Sequence, residues 1–402
     1  MCWGDAMKSG WVTKKLGDVC ELIGGGTPSI HVACYYGGNI PWATVRDMNC
    51  RVIRETERTI TEEGLASSAS NVIPAGNVVI STHVGLGKVC FVEKDTAINQ
   101  DLKGVIPLSR DLDRNFLYYW FLSIADYLVS CGTGSTVKGV KLDFVKKLDI
   151  PIPPLAEQKR IVAKIDAAFE KIDALKANAE KNLANAKELF QSALDEAMRP
   201  KKGWVEKRLG EVYEITSSKR VFKSEWKSAG IPFYRAREIV KLAAKGFVKN
   251  ELFVSEEMYE TYAHKYGIPK AGDIMITGVG TLGVCYVVKE GDKFYFKDGN
   301  IIWLKKCSED VDSEFVSLSF STTPVRKQVL ANAGTTVGTY TIIMAKNTIV
   351  QMPTIVEQKR IVNYVSGLRG EIETLQQNYA RQTADCAEMR QAILREAFEG
   401  RL

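Results

Sequence analysis

Two long segments of the chain carry apolar residues at alternating spacings of three and four positions, the pattern of a helix that buries one narrow stripe. The first segment follows Pro153-Pro154 and is predicted to be helical from about Leu155 to Arg199. Its apolar positions are Ile161, Ile165, Ala168, Ile172, Leu175, Ala179, Leu183, Ala186, Phe190, Ala193 and Ala197. The second segment has the same spacing with one polar member: Ile361, Val365, Leu368, Ile372, Leu375, Tyr379, Gln382, Cys386, Met389 and Ile393. We expect two long helices that bury their stripes against each other.

The start of each predicted helix has the same sequence, EQKRIV, at residues 157–162 and again at residues 357–362. Shorter matches precede both copies, and they occur in the same order: Trp11-Val12 and Trp204-Val205, Ile40-Pro41-Trp42 and Ile231-Pro232-Phe233, and the glycine tracts 85–90 and 280–285. A period of about two hundred residues indicates a duplicated domain, since solenoid repeats are far shorter.

Four segments follow from this repeat: a globular domain at 1–153, a helix at 154–199, a second globular domain at 200–353 and a second helix at 354–402. We expect each globular domain to be mixed α/β, with short strands such as 78–82 and 274–277. If the two halves are related by a pseudo-two-fold axis, the long helices run antiparallel, with one globular domain at each end of a rod.

Composition excludes several classes of protein. The 402 residues have ordinary apolar and charged fractions, and no apolar stretch is long enough for a signal peptide or a membrane span. The nine cysteines form no C-x-x-C pair and there are only three histidines, which favours reduced thiols in a cytoplasmic protein and argues against a zinc site. The expected protein is cytoplasmic and binds no metal or membrane.

Positive charge is concentrated in the second globular domain. Residues 200–354 contain 23 basic and 17 acidic side chains, which accounts for the whole formal net charge of +6. This excess permits nucleic-acid binding without demanding it, because a DNA-binding domain that acts alone is usually more basic.

Motifs for catalysis are few. Residues 278–283 read GVGTLG and fit the G-x-G-x-x-G pattern of dinucleotide-binding proteins, but a strand-like stretch, 284–288, follows where that motif requires a helix. We interpret the tract as a glycine turn between two strands, with a nucleotide-binding enzyme as an alternative. There is no Walker A sequence, and His31, His83 and His264 are scattered. We predict no catalytic residues.

In combination, the duplicated EQKRIV helices, the Gly24-Gly25-Gly26-Thr27-Pro28 segment and the Ile-Pro-aromatic segments resemble the specificity subunit of type I restriction-modification systems, the HsdS family. The resemblance covers essentially the whole chain. It implies a subunit without catalytic activity whose two target recognition domains each read one half of a split target in double-stranded DNA. It also implies that the helix pair sets the spacer and docks two methyltransferase subunits, and that restriction/translocase subunits join the complex.

The same resemblance implies that this chain binds no cofactor, while the partner subunits use S-adenosylmethionine, ATP and Mg²⁺. A coiled-coil scaffold that does not bind DNA is the alternative function.

Polar residues in predicted turns are the candidates for DNA contact, because Arg, Lys, Asn, Gln and Thr can pair with base edges. Each could equally be an ordinary surface residue. The candidates are Thr27, Arg46, His83, Lys88, Thr136 and Lys138 in the first domain, and Lys219, Arg220, Arg235, Arg237, Thr277, Thr336 and Tyr340 in the second.

The repeated helix starts supply the candidates for partner binding: Glu157, Gln158, Arg160, Glu357, Gln358 and Arg360. A solvated first turn, in which the glutamate suits the helix dipole, is the competing interpretation of these residues.

Overall fold

The computed structural model of the chain describes residues 10–134, 137–331 and 338–402. It divides into two compact units. Unit 1 contains the described residues up to Glu180 together with Ala380–Leu402, and unit 2 contains those of Lys181–Tyr379. Each unit therefore combines one globular domain with segments of both long helices.

Unit 1 contains short strands, short helices and the first part of a long helix. Its strands are β1 (Val12–Lys15), β2 (Cys20–Gly24), β3 (Tyr36–Ala43), β4 (Val52–Ile53), β5 (Arg58–Ile60), β6 (Asn71–Ile73), β7 (Val78–Ser81), β8 (Val89–Val92), β9 (Thr96–Ile98), β10 (Leu102–Pro107) and β11 (Asp149–Ile152). Its helices are α1 (Leu16–Val19), α2 (Glu62–Ala66), α3 (Arg114–Ser123), α4 (Ala125–Cys131), α5 (Leu142–Lys146) and the beginning of α6 (Leu155–Ala197).

Unit 2 repeats this pattern. Its strands are β12 (Val205–Arg208), β13 (Tyr213–Thr216), β14 (Ile231–Tyr234), β15 (Phe253–Val254), β16 (Ile274–Thr277), β17 (Cys285–Val287), β18 (Tyr295–Phe296), β19 (Ile301–Lys306) and β20 (Ile349–Met352). Its helices are α7 (Leu209–Val212), α8 (Ala236–Lys245), α9 (Glu256–Tyr266), α10 (Ser313–Ser319), α11 (Thr323–Val329) and α12 (Ile342–Asn347), together with the end of α6 and the part of α13 (Ile355–Phe398) up to Tyr379.

The two units share a common strand order, to which unit 1 adds one edge strand in each of its two sheets. The larger sheet runs β2-β10-β7-β8-β4 in unit 1 and β13-β19-β16-β17 in unit 2. A second sheet runs β5-β3-β9-β6 in unit 1 and β15-β14-β18 in unit 2, and the corresponding pairs β3-β9 and β14-β18 are parallel. The antiparallel pairs β1-β11 and β12-β20 complete the correspondence. The predicted mixed α/β fold and the duplication are confirmed.

Each unit has its own hydrophobic core under the larger sheet. Strands β7 and β8 are buried along their whole length, as expected for short continuous apolar runs. In unit 1 they pack with the aromatic side chains of α3, among them Phe116 and Trp120. In unit 2, Phe315 of α10 takes the corresponding place against Ile274 and Leu304.

The long helix segments run antiparallel within each unit. In unit 1, Arg160 on α6 donates a hydrogen bond to the main-chain oxygen of Leu402 (2.7 Å), while Arg390 on α13 lies 4.3 Å from the ring centre of Phe169. Higher numbers on one helix thus face lower numbers on the other. In unit 2, Arg369 approaches Phe190, and the buried cluster further along α6 contains the earlier α13 residues. The predicted antiparallel pairing is confirmed.

The predicted apolar stripe is correct at many positions and wrong at several. Ile161, Ile165, Ile172, Ile361 and Val365 are among its buried members. Several departures occur: Phe169 is buried instead of Ala168, Leu194 instead of Ala193, and Leu175 and Gln382 are exposed. A helix turns every 3.6 residues, so steps of three and four both stay near the buried face. In the first two departures the larger side chain, Phe169 or Leu194, occupies that face. Among the described helices, none is long and apolar enough to cross a membrane.

Candidate nucleic-acid interface

In unit 1, the loop joining β7 to β8 lies beside the turn that follows β3. The Lys88 ammonium group donates hydrogen bonds to the main-chain oxygen of Val45 (3.5 Å) and to Oδ1 of Asn49 (3.2 Å). Arg46 lies in that same turn with its side chain mostly exposed. Two of the basic residues predicted from the sequence, Arg46 and Lys88, are therefore neighbours.

Residues 132–134 and 137–140 lie beside the loop that joins β7 to β8. The main-chain N–H of Val140 donates to the oxygen of Thr82 (2.8 Å), and Thr133 pairs with Gly139 around the loop. His83 lies 3.1 Å from the Asp101 carboxylate, and Lys138 is exposed. His83 and Lys138 thus lie on adjoining loops.

The loop that follows β2 reaches the same area. Thr27 donates a hydrogen bond from its hydroxyl to the side chain of Gln100. Gln100 lines one groove with His83, Asp101 and Lys103, and burial lowers the pKa of Lys103 below its ordinary value. The fold therefore places His83 in this groove and Thr27 against Gln100 at its edge, with Lys88, Arg46 and Lys138 on the adjoining loops. Thr136 lies outside the described residues.

Unit 2 has the same loop arrangement. In unit 1 the N–H of Thr82 donates to Asp101 (2.9 Å), and in unit 2 the N–H of Gly278 donates to Asn300 (2.8 Å). The bond from Val140 to Thr82 is matched by one from Tyr340 to Gly278 (2.9 Å). The loops after the corresponding strands therefore meet in both units.

The loop after β13 is held by side-chain to main-chain hydrogen bonds. Ser217 Oγ donates to the oxygen of Ile301 (2.9 Å), and Ser218 Oγ donates to that of Phe296 (2.7 Å). The N–H of Lys219 donates to the hydroxyl of Tyr295 (3.0 Å). Next in the chain, Nε of Arg220 donates to Oδ2 of Asp298 (2.8 Å). Lys219 and Arg220 therefore sit on a loop that is fastened to the strands beneath it.

Arg235 and Arg237 are engaged within the chain at the start of α8. Both guanidinium groups pair with the buried carboxylate of Glu238, which also accepts the N–H of Arg235 (2.9 Å). Burial alone would raise the pKa of Glu238, but these hydrogen bonds outweigh it and keep that pKa below its ordinary value. Asp47 accepts the N–H of Thr44 in unit 1 in the same way (2.7 Å). The two arginines stay candidates, with a structural role already established.

Thr277 and Tyr340 are a correction to the predicted DNA contacts. Thr277 is 0% exposed and Tyr340 is 2% exposed. The Thr277 hydroxyl donates to the oxygen of Thr281 inside the hairpin, and the Tyr340 hydroxyl is 2.7 Å from that of Thr348. Burial also raises the pKa of Tyr340. Their hydroxyls close internal turns, so neither side chain can reach a DNA base. Thr336 lies outside the described residues.

The glycine tract forms the predicted turn. Strands β16 and β17 pair antiparallel on either side of it, and Gly280 and Gly283 have φ angles of 71° and 72°, which favour glycine. A strand follows the tract where a dinucleotide site needs a helix, so the nucleotide interpretation is not supported. Within the described ranges, no three His, Cys, Asp or Glu side chains are grouped to hold a metal ion.

The repeated glutamines of the helix starts are buried, which corrects their assignment to partner binding. Gln158 accepts the N–H of Asp113 and donates to the oxygens of Asp111 and Pro153, all at 2.8 Å. Gln358 makes the same three bonds, to Asp312 (2.8 Å), Asp310 (3.1 Å) and Pro353 (2.8 Å). Each glutamine fastens its long helix to the loop before α3 or α10, and its polar atoms are already used.

The neighbouring charged residues remain at the surface. Arg160 makes two hydrogen bonds to Glu157 (2.6 and 2.7 Å), and Arg360 makes two to Glu357 (both 2.7 Å). The bonds from Arg360 lower the pKa of Glu357. These four side chains stay candidates for partner contact.

Sequence reasoning missed the residues that hold the loop side chains in place, chiefly Gln100, Asp101 and Asp298. The signal available for them was a short polar run between two apolar strands, at 99–101 and again at 297–300. Such runs are ordinary turn formers, so position alone does not separate them from other loops.

Comparison with known proteins agrees with the duplicated architecture. A family model described as "Type I restriction modification DNA specificity domain" matches residues 8–185 and again residues 201–380. The chain is 28% identical to the type I restriction enzyme MjaIX specificity subunit of Methanocaldococcus jannaschii over 63% of this chain and 64% of that protein. It is 23% identical to the EcoKI specificity subunit of Escherichia coli over 98% and 90% of the two chains.

The first of these matches spans slightly less than two thirds of the relative's length. A solved chain, from a study of complex assembly and conformational transition of the type I R-M system, has the same fold, with a TM-score of 0.78 at 21% identity over 99% of this chain and 100% of that one. Because the family model matches twice and covers most of the residues, the chain belongs to the type I restriction modification DNA specificity domain family.

Proposed function

We propose that this chain is the DNA sequence-specificity subunit of a type I restriction-modification complex. Unit 1 and unit 2 would each read one half of a bipartite, asymmetric target in double-stranded DNA. The observation that supports this proposal most is that the two units have the same loops with different side chains. Thr27 and Arg220 occupy the same place, six residues after Glu21 and Glu214. Loops on a rigid scaffold are the usual place for recognition residues, and different side chains there favour different bases.

The long helices would set the spacer and dock two methyltransferase subunits, with restriction/translocase subunits joining the complex. Helices α6 and α13 are 43 and 44 residues long, and their surfaces carry the paired charges of Glu157 with Arg160 and Glu357 with Arg360. Exposed apolar side chains on the same helices, such as Leu189 and Tyr364, add to this support.

The chain itself would be non-catalytic in this proposal. S-adenosylmethionine, ATP and Mg²⁺ would be bound by the partner subunits. Because its target would be double-stranded DNA inside the cell, we expect the complex to be in the cytoplasm. A coiled-coil scaffold that does not bind DNA is the weaker alternative, because that function does not explain why the two units have the same loops with different side chains.

The direct test is adenine methylation in a host that expresses the neighbouring methyltransferase with or without this chain. We expect single-molecule sequencing to find a bipartite methylated motif only when the chain is present, because the motif would be read by its two units. A host that expresses the methyltransferase alone is the control. Methylation that is absent in both hosts, or the same in both, would contradict the proposal.

The salt dependence of DNA binding provides a second test, which asks whether the loop that carries Lys88 contacts DNA. Replacing Lys88 with alanine should make the slope of log affinity against log salt shallower by about 0.9, the effect of losing one phosphate contact. The measurement is a salt titration of DNA binding by the purified complex. Lys14→Ala on β1 removes the same charge outside these loops and should leave the slope unchanged. Equal slopes for wild type and Lys88→Ala would remove Lys88 from the interface.

A further inference from the structure

Arg220 and Asp298 form an ion pair that uses one edge of the guanidinium group and leaves its two terminal amino groups available. The bond to Asp298 uses Nε, at 2.8 Å. Neither terminal amino group of Arg220 forms a hydrogen bond with another of the described residues. The Arg220 side chain is 67% exposed, whereas that of Asp298 is 15% exposed. A partly buried carboxylate therefore holds one edge of an exposed arginine.

The surrounding loop limits the movement of this pair. The residues just before Arg220 are tied to the strands by Ser217, Ser218 and the N–H of Lys219. Asp298 itself lies two residues after the end of β18. A side chain whose support is fixed in this way loses less conformational freedom when it binds, which is the requirement for a specific contact.

The chemistry of the available edge selects one base. Two parallel N–H donors of arginine match the O6 and N7 acceptors of guanine in the major groove, and this is the commonest specific contact in protein–DNA complexes. An arginine that only neutralised a phosphate would need no fixed orientation, since a phosphate carries no sequence information. The carboxylate at Nε supplies that orientation.

We propose that Arg220 reads a guanine in the half-site of unit 2 and that Asp298 is its positioning residue. This inference rests on the proposed function and adds a base identity to it. In unit 1, Thr27 and Gln100 occupy the corresponding places and are uncharged. The requirement for this guanine therefore belongs to one half-site only.

The test uses the complete complex with wild-type chain, Arg220→Ala, Asp298→Asn and the control Arg208→Ala. Arg208 is an exposed arginine of β12, outside the loop, so the control removes the same charge. The methylated motif is sequenced first, and the complex is then competed with duplexes carrying each base pair at every position of the unit 2 half-site.

For Arg220→Ala we expect discrimination at one G·C pair to fall on the order of 5- to 150-fold, the range for losing one bidentate base contact, with other positions unchanged. Asp298→Asn should weaken discrimination at the same pair by a smaller factor, although the charge of Arg220 is kept. A purely structural role of Asp298 would not confine the loss to one base pair. Arg208→Ala should retain the wild-type motif.

Three results would overturn the inference. The unit 2 half-site could contain no G·C pair, Arg220→Ala could keep full discrimination, or it could weaken all duplexes equally with a shallower salt slope, which indicates a phosphate contact. In each case the wild-type chain still confers a bipartite motif, so the proposed function stands. If the wild-type chain confers no motif, both proposals fail together.

Discussion

Replacing Phe398 with alanine should destabilise unit 1 by about 3–5 kcal/mol, the cost of removing a buried phenylalanine side chain. Phe398 is 2% exposed and its ring centre lies 5.0 Å from that of Phe116 on α3. Leu394 and Ala397 of the same helix are buried in that core. The end of α13 therefore completes the hydrophobic core of a unit whose other strands and helices come from the first half of the chain.

Hydrogen exchange measured by mass spectrometry is the suitable readout, because the two units need not unfold together. Peptides from α3 should exchange faster in Phe398→Ala, while those from α10 in unit 2 should not change. Met389→Ala on the same helix is the matched control, since Met389 is 46% exposed and surface substitutions usually change stability by less than about 0.5 kcal/mol. Equal effects of the two substitutions would show that the end of α13 is not part of the core.

Replacing Gln158 with alanine should cost on the order of 3 kcal/mol, because a buried polar group that loses its partner costs roughly 1–3 kcal/mol. Gln158 is 0% exposed. Its removal leaves the N–H of Asp113 and the oxygens of Asp111 and Pro153 without the three bonds described above. The loop before α3 and the first turn of α6 should both loosen.

Gln358→Ala is the reciprocal variant, and each glutamine serves as a control for the other. Exchange in Gln158→Ala should increase in peptides covering 110–117, and exchange in Gln358→Ala should increase in those covering 309–316. Lys159→Ala, at an exposed neighbouring position, should change neither region. If both glutamine variants retained wild-type exchange, the buried bonds would have no net stabilising effect. A gain in exchange confined to the other unit would also contradict the assignment.

The two glutamines also bear on the proposed function. Each one attaches a globular domain to its own long helix at the same point of the repeat. In a protein whose helices set a spacer, that attachment has to be rigid for the recognition loops to meet the DNA at one spacing. The repeated sequence is thus explained in part by an internal structural requirement, and the charged residues beside it remain candidates for partner contact.

Much of the fold follows from short-range patterns. The spacing of apolar residues predicted both long helices to within a few residues, and the glycines at 278–283 predicted the hairpin between β16 and β17. Repeated short motifs predicted that two similar domains would occur, since a similar sequence folds into a similar structure. Turn chemistry also selected Thr27, His83 and Lys88, which lie on adjoining loops of unit 1.

The burial of polar residues and their hydrogen-bond partners could not be predicted from short-range sequence patterns. Thr277, Tyr340 and Gln158 look like surface residues in the sequence, because each is polar and lies near a turn or a helix start. Once buried, Thr277 and Gln158 bond to main-chain groups that are 4 to 47 positions away, and Tyr340 bonds to the hydroxyl of Thr348. A local pattern carries no information on such partners.

The sequence by itself determined the duplication, the two long helices and their apolar faces, and the loops that carry polar side chains, because these depend on periodicity and on turn residues close together in the chain. Only the tertiary structure decided which polar residues are buried with internal hydrogen bonds and which remain exposed. It alone paired Arg220 with Asp298. The physical reason is that burial is set by the packing of segments far apart in sequence, and packing decides whether a polar group is satisfied inside the protein or left for a ligand.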